Sequence, residues 1–224
     1  MPTLTLSSTK AMPVPTPASE LAILYQDEWF AVVDKSANFL SVPGRGVEKQ
    51  DSIVYRAQQL FGEAHTVHRL DYATSGLILV ARTLECQRRL SAHFRERIVE
   101  KEYQAIVRGN IKASAGIVRK PLRCDWPNRP RQMVCKVWGK AAETHWTLLE
   151  DMGDRMRVRL TPITGRSHQL RVHMQSIGHA IVGDEFYDAD ASIEDPRLLL
   201  HAHRLEFHHP FTGAWVKFVS PCPF

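Results

Sequence analysis

His68-Arg69-Leu70-Asp71-Tyr72-Ala73-Thr74-Ser75-Gly76 runs directly into Leu77-Ile78-Leu79-Val80-Ala81. An unbroken apolar run preceded by turn formers predicts a buried strand, so the carboxylate of Asp71 sits just ahead of a core element. Leu70 and Tyr72 flank it and restrict its solvation, while His68 and Arg69 bring positive charge close. Gly76 has no Cβ to block a ligand that approaches closely. A carboxylate so placed suits an active site. It equally suits a plain turn into the strand, because Asp, Thr, Ser and Gly are ordinary turn residues.

Working outward, the chain has 224 residues, enough to bury a full core as one large domain or two small ones. Lys and Arg number 29 against 24 Asp and Glu, a net charge of +5 that suggests a polyanionic partner. Cys86, Cys124, Cys135 and Cys222 form no Cys-x-x-Cys pair and give no disulfide or zinc framework. With no signal peptide and no apolar run long enough to span a bilayer, the expected compartment is the reducing cytoplasm.

Residues 1–19 are rich in Pro, Ser and Thr and read as a disordered or extended tail; residues 20–224 are expected to form a single domain. Ile23-Leu24-Tyr25 and Phe30-Ala31-Val32-Val33 suggest a hairpin. Asp51-Ser52 caps a helix with Ile53, Val54, Ala57, Leu60 and Phe61 on one face, and Thr83 caps a second with Cys86, Leu90 and Phe94 at helical spacing. Lys101 to Arg108 alternates as a strand, with Tyr103, Ala105 and Val107 on one side.

The most basic stretch is Arg119 to Lys140, where Arg119, Lys120, Arg123, Arg129, Arg131, Lys136 and Lys140 face the single acid Asp125. Trp126 and Trp138 interleave with them. Charge with exposed rings suits a partner that offers phosphates and unpaired bases; the other reading is a solvated loop whose tryptophans anchor it to the core. Thr144-x-Trp146-x-Leu148 and Met156-x-Val158-x-Leu160 predict a hairpin across Asp151 to Asp154, with Arg155, Arg157 and Arg159 on its outer face. Ser167 is the expected cap of a third helix that stops at Gly178, with Leu170, Met174 and Ile177 as its buried stripe. His201 and His203 share a strand face, and no third ligand comes at a persuasive metal-binding spacing.

His-Arg-Leu-Asp-x-x-Thr-Ser-Gly resembles the signature of the RluA family of RNA pseudouridine synthases. A kinase reading of the His-Arg-Leu-Asp words fails, since Leu70 interrupts the kinase His-Arg-Asp and the sequence has neither a Gly-x-Gly-x-x-Gly loop nor a downstream Asp-Phe-Gly. Lys101-Glu102-Tyr103 resembles the family's Lys-x-Tyr element, and Thr164-Gly165-Arg166-Ser167-His168-Gln169-Leu170-Arg171-Val172-His173 its Thr-Gly-Arg-x-His-Gln-x-Arg-x-His element. Gly183 to Tyr187 and the Leu-His-Ala words at Leu200 also match. Cys124-Asp125-Trp126-Pro127-Asn128-Arg129-Pro130 looks like the short members that act on both ribosomal and transfer RNA.

The resemblance implies an α+β fold, a mixed and largely antiparallel central sheet with flanking helices, without the extra N-terminal RNA-binding domain many relatives carry. It implies an isomerase in which Asp71 is the catalytic carboxylate, Arg171 its cationic partner and Tyr103 the ring against the target base. RNA contacts are expected from His68, Arg69 and Thr74, from Arg123, Trp126, Arg129 and Arg131, and from Arg166 and His168. Because uridine and pseudouridine are isomers, no cofactor and no metal are expected. The expected partner is structured RNA, namely stem-loops of ribosomal and transfer RNA, met by a monomer. A non-catalytic RNA-binding or chaperone module on the same fold is the first rival reading, and a histidine-dependent hydrolase or metallonuclease the second.

Overall fold

The computed structural model describes residues 20–192, 195 and 197–224; the tail expected over residues 1–19 lies outside them. Twelve strands and three helices follow in the order β1 (Ile23–Gln26), β2 (Phe30–Lys35), α1 (Ile53–Phe61), β3 (His65–Thr66), β4 (Ser75–Ala81), α2 (Leu84–Glu96), β5 (Glu100–Arg108), β6 (Ala115–Arg119), β7 (Leu122–Cys124), β8 (Gln132–Val134), β9 (Glu143–Asp151), β10 (Arg155–Pro162), α3 (Gln169–Gln175), β11 (Leu200–His208) and β12 (Trp215–Val219). Ten strands make one sheet with the path β1-β2-β4-β11-β5-β10-β9-β6, β3 joining β4 and β12 joining β11. Strands β7 and β8 form a separate hairpin. Every strand pair is antiparallel except β4 with β11. The fold is therefore α+β, as the resemblance implies, and no helix among the described residues is long and apolar enough to cross a membrane.

Strand β4 explains its own composition. Leu77 and Leu79 face a core shared with Cys86 and Leu90 of α2, whereas Ile78 and Val80 face one shared with Ile53 and Ala57 of α1. A strand covered on both faces has no use for polar alternation. Its contact with β11 spans only His201↔Ser75 and Ala202↔Gly76, after which the two strands part and β3 and β12 take the freed edges. Gly76 is needed here for the strand pairing rather than for a ligand. Its φ is +106°, and a Cβ on it would lie 2.3 Å from the carbonyl oxygen of Ala202.

Both expected helix caps at Ser52 and Thr83 form, their side chains accepting from the backbone N–H groups of Tyr55 and Cys86. Leu60 departs from the expected buried face of α1 and is 58% exposed, because the buried stripe is completed by Ile53, Val54 and Ala57 alone. The cap of α3 is His168, not Ser167, and its side chain makes no capping bond. The helix starts later because the Gln169 side chain takes over the turn before it: its Oε1 accepts from the Arg166 N–H (3.0 Å) and the Thr164 hydroxyl (2.6 Å).

Candidate active site

Asp71 lies in the loop entering β4, and its position is set by groups the chain brings from three other places. Ser41 brackets Leu70, accepting from its N–H and donating to its carbonyl. Lys35, only 1% exposed, donates from Nζ to the carbonyls of Ser36, Phe39 and Tyr72 at 2.8–3.0 Å. Three acceptors match the three N–H bonds of an ammonium. Burial nonetheless lowers the Lys35 pKa to about 7, with the nearby charge of Asp71 opposing the shift.

Arg171 is the third group, 2% exposed on α3. Its guanidinium holds Asp184 through two bonds of 2.7 Å, and its remaining nitrogen, Nη1, donates to Asp71 Oδ2 at 3.4 Å. Asp184 also accepts from the backbone N–H groups of Phe186 and Tyr187. Burial works against the Arg171 charge, but Asp184 more than reverses it and the pKa rises. The fork is thus fixed from behind and offers one edge to Asp71.

Ser41, Asp71 and Arg171 line a cavity of about 920 Å³. Tyr103, from β5, lies on its wall, between Leu160 and Ala202 of the neighbouring strands. Burial and then the charge of Asp71 push its phenol pKa up. Its hydroxyl has no protein hydrogen-bond partner among the described residues, which leaves it free to meet a ligand. Asp71, Tyr103 and Arg171 come from sequence-distant elements, and the fold brings all three to one cavity.

The expected RNA contacts divide. Arg69 is exposed at the cavity, with no ion pair or hydrogen bond among the described residues. Arg129 and Arg166 also line it, Arg166 donating to the Ala141 carbonyl at 3.1 Å. Thr74 is buried, its N–H closing the turn onto the Asp71 carbonyl, so it forms floor rather than contact surface. His68 faces inward too: Nε2 accepts from the Leu79 N–H at 3.0 Å and the ring stacks on Phe94 at 4.6 Å. It fills the gap on the edge of β4 between its β11 and β3 pairings. Burial, and secondarily the Lys101 ammonium, lowers its pKa to about 3, so it brings no positive charge to Asp71. His168 also turns inward, with Nε2 4.0 Å from Asp71 Oδ2.

The basic stretch is an exposed hairpin. Trp126 and Trp138 are 60% and 76% exposed, so neither anchors it to the core. The Arg129 guanidinium lies 4.6 Å from the Trp126 ring centroid, and Arg131 lies 5.8 Å from that of Phe186 on the far side. Arg123 is half-buried on β7 and does not line the main cavity. His201 and His203 are occupied by hydrogen bonds: His201 bridges Ser75 and Ser220 (2.9 and 3.0 Å), and His203 Nδ1 meets the Ser220 carbonyl at 2.7 Å.

Sequence reasoning passed over Lys35, Asp184 and Tyr187 as site residues. For Asp184 and Tyr187 the matching Gly183 to Tyr187 turn was a usable signal. For Lys35 nothing local distinguished a buried lysine from a solvated one at the end of a strand.

A family model described as RNA pseudouridylate synthase matches residues 29–176. The chain is 50% identical over 206 residues to the dual-specificity RNA pseudouridine synthase RluA of Escherichia coli (strain K12), covering 91% of this chain and 94% of that one. It is 47% identical over 206 residues to the protein of the same name from Yersinia pestis, covering 91% and 100%. Among solved structures, human RNA Pseudouridylate Synthase Domain Containing 1 superposes with a TM-score of 0.77 at 30% identity over 93% of this chain and 87% of that one. Human RNA Pseudouridylate Synthase Domain Containing 4 gives 0.72 at 26% identity, over 90% and 88%. With its sheet, its cavity and its matches in agreement, this chain belongs to the RNA pseudouridylate synthase family, the isomerases that convert uridine in RNA to pseudouridine.

Proposed function

We propose that the chain isomerises uridines in stem-loops of both ribosomal and transfer RNA, with Asp71 as the catalytic carboxylate acting on a uridine drawn out of its stack into the cavity. The reading rests on one observation: an acidic side chain at a cavity wall, 3.4 Å from a guanidinium that is itself immobilised by Asp184. The reaction breaks the N1 glycosidic bond, turns the uracil within the site and forms a bond from C5 to the same sugar carbon; C5 gives up its proton and N1 takes one up, so the product is an isomer of the substrate. Nothing is oxidised or reduced. Detached uracil must be held, which a cavity of about 920 Å³ closed on one side by β5 and β10 can do.

A base seated over Asp71 removes water from it, and Arg171 then supplies the positive charge that water no longer screens. Tyr103 lies against the base. Arg69, exposed beside Asp71, occupies the space the base vacates, offsetting an unstacking cost of a few kcal/mol. The dual RNA specificity is inferred from the similarity to relatives of that name and from the exposed Arg129–Trp126 pair, which offers charge to phosphate and a ring to an unpaired base.

Tritium release from RNA labelled at uracil C5 tests the reading. Wild-type protein should release label from both RNA classes, and Asp71→Asn should bind RNA yet release none. Release by Asp71→Asn at the wild-type rate would remove Asp71 from the reaction. Arg69→Ala should weaken fluorescence of a base analogue at the target position, and an undiminished signal would reassign Arg69.

A further inference from the structure

His168 lines the cavity in a conformation its sequence position does not require. Its φ is +52°, a left-handed conformation uncommon for a residue with a side chain, and the side chain makes no capping bond that would account for it. The imidazole instead spans two partners. Nδ1 lies 2.8 Å from the Tyr187 hydroxyl and Nε2 lies 4.0 Å from Asp71 Oδ2.

The proton inventory assigns the direction. The Tyr187 oxygen already accepts from the Gln132 N–H at 2.7 Å, and among the described residues its hydrogen has His168 Nδ1 as acceptor. Nδ1 is therefore the unprotonated nitrogen, and Nε2 carries the ring hydrogen toward Asp71. A neutral ring is also what its surroundings favour: burial lowers the His168 pKa first, Asp71 opposes, Arg171 reinforces, and Asp184 and Glu185 oppose more weakly. Phe186 stacks on the ring at 5.9 Å with an interplanar angle of 12°.

The same short turn thus serves both neighbours of Asp71. Asp184 grips Arg171, and Tyr187, three residues on, grips His168. We propose that His168 is a positioning residue for Asp71, its ring fixed by Tyr187 so that Nε2–H and the Arg171 guanidinium together orient the carboxylate toward the bound base. The separation of 4.0 Å closes to a hydrogen bond when substrate seats, since catalytic contacts are commonly long before substrate binds. This inference rests on the reading that Asp71 carries the reaction.

The test separates positioning from support of the fold, because glycine adopts a φ of +52° without strain. His168→Gly, Tyr187→Phe, their double variant and Asp71→Asn are compared for melting temperature, RNA affinity and single-turnover tritium release at saturating RNA. His168→Gly should fold, bind RNA within about twofold of wild type, and react about 30-fold more slowly; Tyr187→Phe should lose about tenfold in rate, each with affinity preserved. The double variant should be no slower than His168→Gly, since Tyr187 acts through His168. A folded His168→Gly at the wild-type rate overturns the inference, as does a double variant whose loss is the product of the single losses. If His168→Gly fails to fold, Tyr187→Phe decides, and a wild-type rate there overturns the inference equally. Undiminished release by Asp71→Asn would instead sink the reading beneath it.

Discussion

The two walls of the site are built on opposite plans. The first lies behind Asp71, whose side chain keeps 29% of its surface exposed: Arg171, Asp184 and Lys35 are buried there and held by partners inside the protein. The second is the β7–β8 hairpin, where Arg129 and Arg131 are exposed and rest on aromatic rings with no carboxylate partner among the described residues. A buried ion pair resists removal of either member, because the one left behind is an uncompensated charge. An exposed cation is solvated whether or not a ligand is present. The first wall therefore suits chemistry that tolerates no displacement, and the second suits RNA targets of differing sequence.

The contrast breaks most easily at Arg171. Replacing it by methionine keeps much of the volume but strands Asp184, whose carboxylate is inaccessible to water. We expect a loss of about 3–5 kcal/mol, read as a fall in the urea midpoint, together with loss of tritium release. An unchanged midpoint would mean that the pair is not held as the buried wall requires. Lys35→Met comes next. It leaves the carbonyls of Ser36, Phe39 and Tyr72 without their donor, and these lost bonds outweigh the relief of burying an ammonium by about 2 kcal/mol. Because Tyr72 adjoins Asp71, the rate should fall further than stability alone explains.

How far this was legible in the sequence follows the same division. Strand β4 announced itself through unbroken apolarity, and the hairpin through its density of Arg and Trp, because both signals are local. The alternating segments that became β5, β9 and β10 were likewise readable from period-two patterning. What escaped was long-range. Nothing near Lys35 says that three carbonyls will converge on it, and nothing near His68 says that its ring will accept from a strand amide rather than carry charge. The start of α3 was misplaced by one residue because Gln169, a helix residue, performs the bonding that Ser167 was expected to supply.

His68 gives the third prediction, through pH. Its folded pKa of about 3 lies below the ordinary value of 6.5. Between those values the unfolded chain binds a proton that the folded chain refuses, so the stabilisation is complete above pH 6.5 and is lost as pH falls toward 3. One such proton costs about 1.4 kcal/mol per pH unit once the unfolded residue is protonated. His68→Gln can still accept from the Leu79 N–H but does not titrate. Its unfolding free energy should decline less steeply than that of wild type between about pH 6 and pH 4.5 by that amount per unit. The difference isolates this residue, since buried His173 and His201, whose pKa values are also lowered by burial, contribute to both proteins alike. Equal slopes would mean that the imidazole takes up a proton in the folded protein, giving up its bond from the Leu79 N–H.

The smallest effects on the protein belong to the hairpin. Arg129→Ala and Trp126→Ala remove side chains that support nothing beneath them, so the melting temperature should hold while RNA binding weakens. The two should differ in kind. An arginine that meets phosphate releases counterion on binding, so Arg129→Ala should reduce the slope of log affinity against log salt by about 1. Trp126 contributes stacking, so Trp126→Ala should shift affinity by about 1–3 kcal/mol and leave the slope untouched. If both variants change the slope, the ring serves only to hold the guanidinium in place at 4.6 Å. If neither does, RNA does not use this wall, and the division between a chemical wall and a recognition wall fails at its weaker side.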